Sequence, residues 1–512
     1  METGVNMRFI KKDILLSLPK RKIGGRLRQW TRYAAPLLTG SALLLNACGG
    51  PSVPLGQIGN IEGMLGGVAS DEPRATLVAE DILSSGGTAA DAAAALYFTL
   101  AVTYPVAASL GGGGECLVYD RASNKLENLQ FPNKSPVKGG DIAIPGNIRG
   151  ITALQARYGK LDWSLILTRA EQIANFGEPL SRAQYMAMVL NQDKFTLDYT
   201  LEHIFKDDNG QFVAEGSKIR QVRLGSLLSS LRSEGGASFY SGNWARTFVE
   251  DASHAGGKVT VLDLLNYKPV WKEARMFRVD NNMVGVSEGP AGEVYEKLWQ
   301  LLFKNGKNIL SIGGRIPDTE IATATAKVFG EVNTATAFMS HGTTSFVTSD
   351  TQGNAVACVV GLKRPFGTGH VGNITGIIMA PNLPADEGEF LASPMLVVNL
   401  PNKNFYYGSA ATGGAAATVA SVSTALQIFS NDTRLEEAIT TPRLFTMGDK
   451  LPLLYESAMT PENVAKLKEK FPVTVEVDRL ASVNAIYCKD GKVPNCISRH
   501  DPRGYGLSMV EK

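Results

Sequence analysis

Several signatures of common protein classes are missing from this chain of 512 residues. It has only five cysteines, too few for a disulfide-stabilised scaffold. No C-x-x-C or H-x-x-x-H pair offers metal-ligand spacing, and no G-x-S-x-G motif supports a Ser-His-Asp hydrolase. The glycine run at 111–114 lacks the Lys and Ser/Thr of a phosphate-binding loop. The sequence therefore predicts no metal, nucleotide or other cofactor.

A surplus of charge of one sign is also missing, since the net charge at pH 7 is only +2. Nine of the 51 basic residues precede residue 33, so the rest of the chain is slightly acidic and no nucleic-acid partner is expected. Hydrophobic residues make up 44% of the chain, with 53 Gly and 24 Pro, which excludes disordered, collagenous and coiled-coil classes.

No apolar run is long enough to span a bilayer comfortably, but a shorter one follows the basic segment. Residues 34–47 form an uncharged stretch of h-region length, typical of a secretion signal. The text Leu45-Asn46-Ala47-Cys48 resembles the lipobox of bacterial lipoproteins, in which the cysteine is acylated. We expect a signal peptide at 1–47, acylation of Cys48, a flexible tether at 48–66, and a protein held by lipid in the bacterial cell envelope, facing the periplasm or the outer surface.

The two cysteines near the C-terminus are expected to lie close together. Cys488 and Cys496 flank Lys489-Asp490-Gly491-Lys492, a turn signal that can bring two strand ends within bridging distance. An extracytoplasmic location would let such a disulfide persist. Cys116 and Cys358 lie in apolar, glycine-rich segments that resemble strands and are interpreted as small buried residues.

Helical spacing dominates the first two thirds of the chain after the tether. From Pro73 to Ala101 the pattern predicts two helices joined by a glycine turn, the second Ala-rich and buried against a sheet. Residues 145–330 are predicted to be mostly helical.

From Thr343 onward, an alternating pattern of residues, typical of strands, replaces the helical spacing of apolar residues. Short strands are predicted at 344–348, 355–361 and 396–400, followed by a helix at 415–429. This order of strands and helices predicts sheets covered by helices on their outer faces.

Many short pieces of the chain stand in the order in which they occur in one known family. These pieces are Ile82-Leu83, 86–93, 111–114, Pro145-Gly146, 158–161, 239–242, Asp263-Leu264 with Tyr267, 341–350, Gly413-Gly414, Pro442-Arg443 and 501–504. Together they cover roughly residues 67–508, and the sequence resembles the gamma-glutamyltranspeptidase family with its related acylases.

The resemblance implies an α+β fold, the four-layer αββα sandwich of N-terminal-nucleophile hydrolases. It also implies a precursor that cuts itself between Gly342 and Thr343 into a large chain, 67–342 of the domain, and a small chain, 343–512. Thr343 would be the nucleophile, with its own amine as base. Backbone N–H groups of Gly413 and Gly414 would form the oxyanion hole. The implied substrate is a small amide or peptide, such as a γ-glutamyl donor like glutathione.

The chemistry of threonine fits this scheme. Its hydroxyl can attack the Gly342 carbonyl, and the amine freed by cleavage, with a pKa near 8, can then serve as a base. Without the family context, a Thr-Thr pair at a strand edge reads as structural because threonine favours strands. Gly-Gly equally suits a loop that starts a helix.

The residues that should bind a γ-glutamyl group depart from the family. Pro132 stands where the family has Arg, and Gly361 where it has a hydroxyl facing the nucleophile. The remaining candidate substrate-binding residues are Lys363, Asn382, Asp386, Phe390 and Leu391. We expect poor turnover of γ-glutamyl donors, since an ammonium and a carboxylate would lose water without gaining partners. Lys363 or Lys134 could take the role of the Arg.

Two hypotheses stay open at this point. In the first, the protein is a self-processing hydrolase or acyltransferase with a changed acyl pocket. In the second, it is an inactive relative kept as a surface-binding lipoprotein. The segment around Thr343 favours the first, and the missing hydroxyl at Gly361 favours the second.

Overall fold

The computed structural model describes residues 66–196, 198–304, 307–308, 316–331, 342–383, 392–431 and 433–511. Within these residues, one antiparallel sheet has seven strands. Its strands, in spatial order, are β20 (Leu507–Glu511), β1 (Gly66–Ser70), β11 (Thr343–Asp350), β12 (Ala355–Gly361), β2 (Gly113–Asp120), β3 (Lys125–Phe131) and β6 (Val270–Glu273).

A second antiparallel sheet has six strands in the described parts of the chain. In spatial order these are β19 (Cys496–Arg499), β18 (Ser482–Cys488), β14 (Asn404–Thr412), β13 (Met395–Asn399), β8 (Asn282–Val286) and β7 (Arg275–Val279). Smaller sheets contain β4 (Glu178–Pro179), β5 (Lys218–Ile219), β9 (Phe303–Lys304), β10 (Lys307–Asn308), β15 (Leu444–Phe445), β16 (Leu453–Glu456) and β17 (Thr474–Val477).

Most of the helices fall into two groups that pack on different sheets. The helices are α1 (Pro73–Ser84), α2 (Ala89–Thr103), α3 (Asn147–Tyr158), α4 (Trp163–Phe176), α5 (Arg182–Leu190), α6 (Tyr199–Phe205), α7 (Val222–Glu234), α8 (Gly242–His254), α9 (Val261–Asn266), α10 (Pro290–Leu302), α11 (Asp318–Gly330), α12 (Ala415–Asn431), α13 (Leu435–Thr440) and α14 (Pro461–Lys470). Among the described residues, none of these is both long and apolar enough to cross a membrane.

Three apolar cores separate four layers. Buried residues of α1 to α4, α7 and α8 form one core with the seven-stranded sheet, and those of α10 to α14 form another with the six-stranded sheet. Between the sheets lies a third core, in which Leu117 and Val347 of one sheet share a cluster with Leu396 and Ile486 of the other. The arrangement helix, sheet, sheet, helix confirms the predicted αββα sandwich.

Helix α2 is the central helix of the first layer. Its N-terminus is capped reciprocally by Thr88 and Asp91, and every residue from Ala89 to Val102 is buried. The Thr348 hydroxyl on β11 donates a hydrogen bond to the Ala89 carbonyl over 2.7 Å. The two helices predicted on either side of the glycine pair are therefore confirmed, and α2 packs on the strand that begins at Thr343.

The segment 145–330 is mostly helical, as predicted, but it also contains strands. Residues 275–279 and 282–286 form the hairpin of β7 and β8, which builds the edge of the second sheet. Asp280, at φ +53°, makes the turn. A hairpin this short contains too few residues for its alternating pattern to be distinguished from the helical periodicity on either side of it.

Candidate active site

A cavity of about 400 Å³ opens where the ends of both sheets meet. Thr343 at the start of β11, Thr412 at the end of β14 and Ser482 at the start of β18 line it. Helix α5 and the segment 503–505 supply further walls. The structure thus places the predicted nucleophile Thr343 and the predicted oxyanion residue Gly413 in the same cavity.

Thr343 pairs with Gly361 of β12, so the residue opposite it in the sheet carries no hydroxyl. The Gly342 carbonyl accepts a hydrogen bond from the Leu362 N–H over 2.8 Å. A Cβ atom at Gly342 would lie 2.2 to 2.6 Å from the backbone of Arg364, so only glycine fits there without a backbone shift. Residues 361–364, at the end of β12 and just after it, therefore contact the backbone on both sides of the Gly342–Thr343 peptide bond.

The glycine pair connects β14 to α12. Gly413 has φ +121° and Gly414 has φ +64°, a backbone region that favours glycine. A Cβ atom at Gly413 would lie 2.7 Å from the Leu480 carbonyl oxygen. The pair therefore lets the chain turn into the N-terminus of α12, whose helix dipole favours negative charge nearby.

Asp71, directly after β1, is a site residue that the sequence analysis missed. Its carboxylate accepts hydrogen bonds from the Thr344 hydroxyl (2.9 Å), the Ser345 N–H (3.0 Å), the Ser482 hydroxyl (3.3 Å) and the Asn484 amide (2.8 Å). Burial raises the pKa of this carboxyl, although the hydrogen bonds oppose the rise. Asp71 thus ties β11 to β18 beside Thr343.

A buried charge network supports the part of the cavity wall that contains Ala481 and Arg503. Arg443 donates to Asp501 over 2.6 Å, and Arg503 donates to Glu456 over 2.5 and 2.7 Å and to Asp501 over 3.2 Å. Burial would raise the pKa of the Asp501 carboxyl, but the charges of Arg443 and Arg503 together with backbone hydrogen bonds hold it below its ordinary range.

This network also fixes the loop that passes Gly413. The Ala481 carbonyl accepts a hydrogen bond from Arg443, and the Leu480 N–H donates one to Glu456 over 3.0 Å. The charged side chains therefore anchor the backbone of Leu480 and Ala481, and these two residues pack against Gly413.

Two of the predicted substrate-binding residues lie elsewhere. Lys363 follows β12 at φ +64° and is not among the cavity-lining residues, and burial lowers the pKa of its amine. Asn382 donates its amide to the Gly140 carbonyl over 2.8 Å and does not line the cavity either. Asp386, Phe390, Leu391 and Cys48 lie outside the described residues, as do the signal peptide and nearly all of the tether.

The four cysteines in the described part of the chain form two disulfides. Cys488 and Cys496 face each other across β18 and β19 and are bonded. Cys116 and Cys358 are buried, as the sequence predicted, but they are not separate thiols: they pair directly across β2 and β12, with 4.1 Å between their Cα atoms, and form a disulfide. In the described parts of the chain no cluster of three or more His, Cys, Asp or Glu side chains could hold a metal.

The fold is that of known N-terminal-nucleophile hydrolases. The crystal structure of cephalosporin acylase from Bacillus halodurans superposes with a TM-score of 0.72, covering 90% of this chain and 98% of that one at 19% sequence identity. An identity this low establishes the shared fold alone. The class that the comparison defines is therefore a fold class, the αββα sandwich of N-terminal-nucleophile hydrolases.

Sequence comparison defines the family more narrowly. A family model described as gamma-glutamyltranspeptidase matches residues 75–294. The glutathione hydrolase proenzyme of Pseudomonas aeruginosa is 33% identical over 234 residues, 42% of this chain and 41% of that protein. Glutathione hydrolase 2 of Arabidopsis thaliana is 30% identical over 223 residues, 41% and 38% of the two chains. This part of the chain is thus similar to the gamma-glutamyltranspeptidase family, and the matches span about two-fifths of the length of these relatives.

Proposed function

We propose that the protein is a self-processing amide hydrolase or acyltransferase that works through an acyl ester on Thr343. The observation that carries the proposal is the shared cavity of Thr343 and Gly413. The match of residues 75–294 to the gamma-glutamyltranspeptidase family model and the tight fit of Gly342 against the Arg364 backbone support it.

Self-cleavage would begin with attack of the Thr343 hydroxyl on the carbonyl carbon of Gly342. Negative charge then develops on the Gly342 oxygen, which already accepts the Leu362 N–H. Collapse of the intermediate breaks the C–N bond, leaves an ester on the threonine oxygen and transfers the proton to the new amine. Water hydrolyses the ester and releases Gly342 as a carboxylate.

Turnover would use the same hydroxyl. The free amine of Thr343 takes the hydroxyl proton, the oxygen attacks the amide carbonyl of the substrate, and the proton passes to the departing amine. N–H groups of Gly413 and Gly414 would stabilise the oxyanion, at about 3 kcal/mol per donor. Water or an acceptor amine then removes the acyl group.

The buried disulfide alters how cleavage should appear on a gel. Cys116 belongs to the segment before the cleavage site and Cys358 to the segment after it, so their bond would join the two chains covalently. We expect purified protein to run as one band in denaturing electrophoresis without reductant and as two bands after reduction.

The companion Cys116→Ser variant should separate into two bands even without reductant. A single band after full reduction would contradict self-processing and favour the alternative of an inactive binding lipoprotein. Two bands from unreduced wild-type protein would contradict the interchain disulfide alone.

We further propose that Cys48 carries a lipid that holds the protein in the bacterial cell envelope. The support is the lipobox-like text after an apolar h-region. Metabolic labelling with radioactive palmitate should mark wild-type protein and not Cys48→Ala. Equal labelling of the two would rule out this anchor site.

A further inference from the structure

The proposed nucleophile and the proposed oxyanion donors belong to different sheets. Thr343 begins β11 in the seven-stranded sheet, whereas Gly413 follows β14 in the six-stranded sheet. The core between the sheets is a cluster of apolar side chains. Burial of apolar area is not directional, so hydrogen bonds at the Thr343 end supply the directional contacts that fix the distance between the two groups.

The carboxylate of Asp71 makes such a contact, with one oxygen for each sheet. Its Oδ2 accepts the Thr344 hydroxyl over 2.9 Å and the Ser345 N–H over 3.0 Å, both on β11. Its Oδ1 accepts the Ser482 hydroxyl over 3.3 Å and the Asn484 amide over 2.8 Å, both on β18. The carboxylate therefore joins the two sheets at the start of β11.

The β18 side of this contact leads directly to the glycine pair. Ser482 is the register partner of Thr412, the last residue of β14 before Gly413. Asp71, Thr412 and Gly413 line the same cavity. A shift of β18 relative to β11 would therefore move the Gly413 N–H relative to the Thr343 hydroxyl.

A negative charge on Asp71 suits all four of its partners. An ionised carboxylate only accepts hydrogen bonds, and the four groups that face it donate them. Hydrogen bonds to a charged acceptor are also stronger than those between neutral groups. Protonation, or replacement by asparagine, places a hydrogen among these donors and removes the charge from every bond of the contact.

We infer that Asp71, as a carboxylate, is a positioning residue that holds the strand of Thr343 at the distance from Gly413 that self-cleavage and turnover need. The inference rests on the proposed function and adds a residue to its machinery. Asp71 neither touches the substrate nor takes a proton in this scheme, because its effect passes through β11 and β18.

The charge of Asp71 should make self-cleavage depend on pH. Burial is the main cause that raises the pKa of this carboxyl, hydrogen bonds oppose the rise, and the charge of Asp501 adds to it. The other titratable or charged groups around it are Glu72, Tyr104, Arg479, His500 and Arg503. Cleavage of the precursor should slow as pH falls through the raised pKa of Asp71, before any free amine of Thr343 exists to contribute.

The test follows self-cleavage of newly made full-length protein. The protein is pulse-labelled in an oxidising cell-free system, diluted into buffers from about pH 8 to about pH 4, and sampled on reducing gels. Asp71→Asn should lower the rate constant about 10-fold or more at neutral pH, and its rate should not fall in acid as that of wild type does. Asp71→Glu keeps the charge on a longer side chain, so it should cleave at an intermediate rate and keep the acid dependence.

Asp350, at the other end of β11, provides the matched control. Its buried carboxylate also accepts four hydrogen bonds, from the N–H groups of Ala89, Gln352 and Asn354 and from the Asn354 amide. Burial raises the pKa of Asp350 as well. Asp350→Asn should lose comparable interactions, yet change the cleavage rate less than about 2-fold and keep the pH profile of wild type, because these contacts are distant from Thr343.

Three outcomes would overturn the inference. Equal slowing in Asp71→Asn and Asp350→Asn would indicate a general loss of stability. An acid dependence that survives in Asp71→Asn would point to His500 instead. In the cleaved enzyme, Asp71→Asn should lower kcat for γ-glutamyl or pentanoyl p-nitroanilide, whichever wild type hydrolyses faster, and leave KM within about 2-fold. A higher KM with unchanged kcat would make Asp71 a substrate-binding residue.

Failure of the proposed function has a different signature. Wild-type protein that stays a single chain after reduction and hydrolyses neither anilide would contradict the proposed function. Hydrogen–deuterium exchange then measures the contact itself, and peptides from the starts of β11 and β18 should exchange about 10-fold faster in Asp71→Asn than in Asp350→Asn. Equal exchange at both strand starts would overturn the inference.

Discussion

Thr343→Ala protein is expected to stay a single chain after reduction and to lose amidase activity by about 10³-fold or more. The substitution removes the oxygen that we propose as the nucleophile toward both the Gly342 carbonyl and the substrate. Thr343 lies partly buried at the start of β11, where its backbone pairs with Gly361, so alanine should leave the strand in place. Reducing electrophoresis and anilide hydrolysis measure the two effects.

Thr343→Ser separates chemistry from folding in this experiment. Serine keeps the hydroxyl and should retain cleavage at a reduced rate, while Thr344→Ser, one residue along the same strand, should cleave normally. Thr344 donates its hydroxyl to Asp71, and serine preserves that bond. A Thr343→Ala protein that still separates into two chains would show that another residue is the nucleophile.

Arg443→Met is expected to lower the free energy of unfolding by about 3 to 5 kcal/mol. The substitution leaves the fully buried carboxylate of Asp501 with Arg503 as its one charged partner and removes the anchor of the Ala481 carbonyl. Urea unfolding monitored by circular dichroism gives the difference directly. Arg434→Met is the control, because Arg434 is exposed and pairs with Glu437 on the surface of α13, and it should cost less than about 1 kcal/mol.

The deficit of Arg443→Met should depend on pH. Arg443 and Arg503 hold the pKa of Asp501 below its unfolded value of about 4, so the network stabilises the fold fully above that pH. As pH falls through the folded pKa, Asp501 takes a proton and this contribution is lost. The gap between wild type and variant should therefore be widest near neutral pH and narrow below about pH 4. A gap that widens in acid would contradict the assignment to Asp501.

Local patterns in the sequence were enough for the features whose partners are near in the chain. The glycine pair predicts the boundary between α1 and α2, and the structure has it there, with Thr88 as the N-cap of α2. Cys488 and Cys496 were candidates for a bridge because a turn of a few residues separates them. Alternation likewise predicted β11 and β12, with small differences at the strand ends.

Features built from segments that are distant in the sequence could not be predicted from local patterns. In the sequence, Asp71 shortly precedes Pro73, and this position indicates only the start of a helix. The partners of Asp71, Thr344 and Asn484, lie 273 and 413 positions away. Cys116 and Cys358 meet only because β2 and β12 are neighbours in one register, 242 residues apart in sequence. No local periodicity encodes which strands become neighbours.

The arginines of the cavity illustrate the same limit. Lys363 was a candidate because the resemblance places a polar residue there, two positions after Gly361, whereas Arg479 lines the cavity from the loop before β18. That loop is held beside Gly413 by Glu456 and Arg443, so its position depends on buried charges far along the chain. Sequence spacing predicts the strands but not which loop closes over their ends.

The most direct test of the account is N-terminal sequencing of the smaller band after reduction of the purified protein. We predict a chain that begins Thr343-Thr344-Ser345 and continues to the end of the protein. A fully reduced protein with no chain starting at Thr343 would contradict the assignment of this residue as the nucleophile.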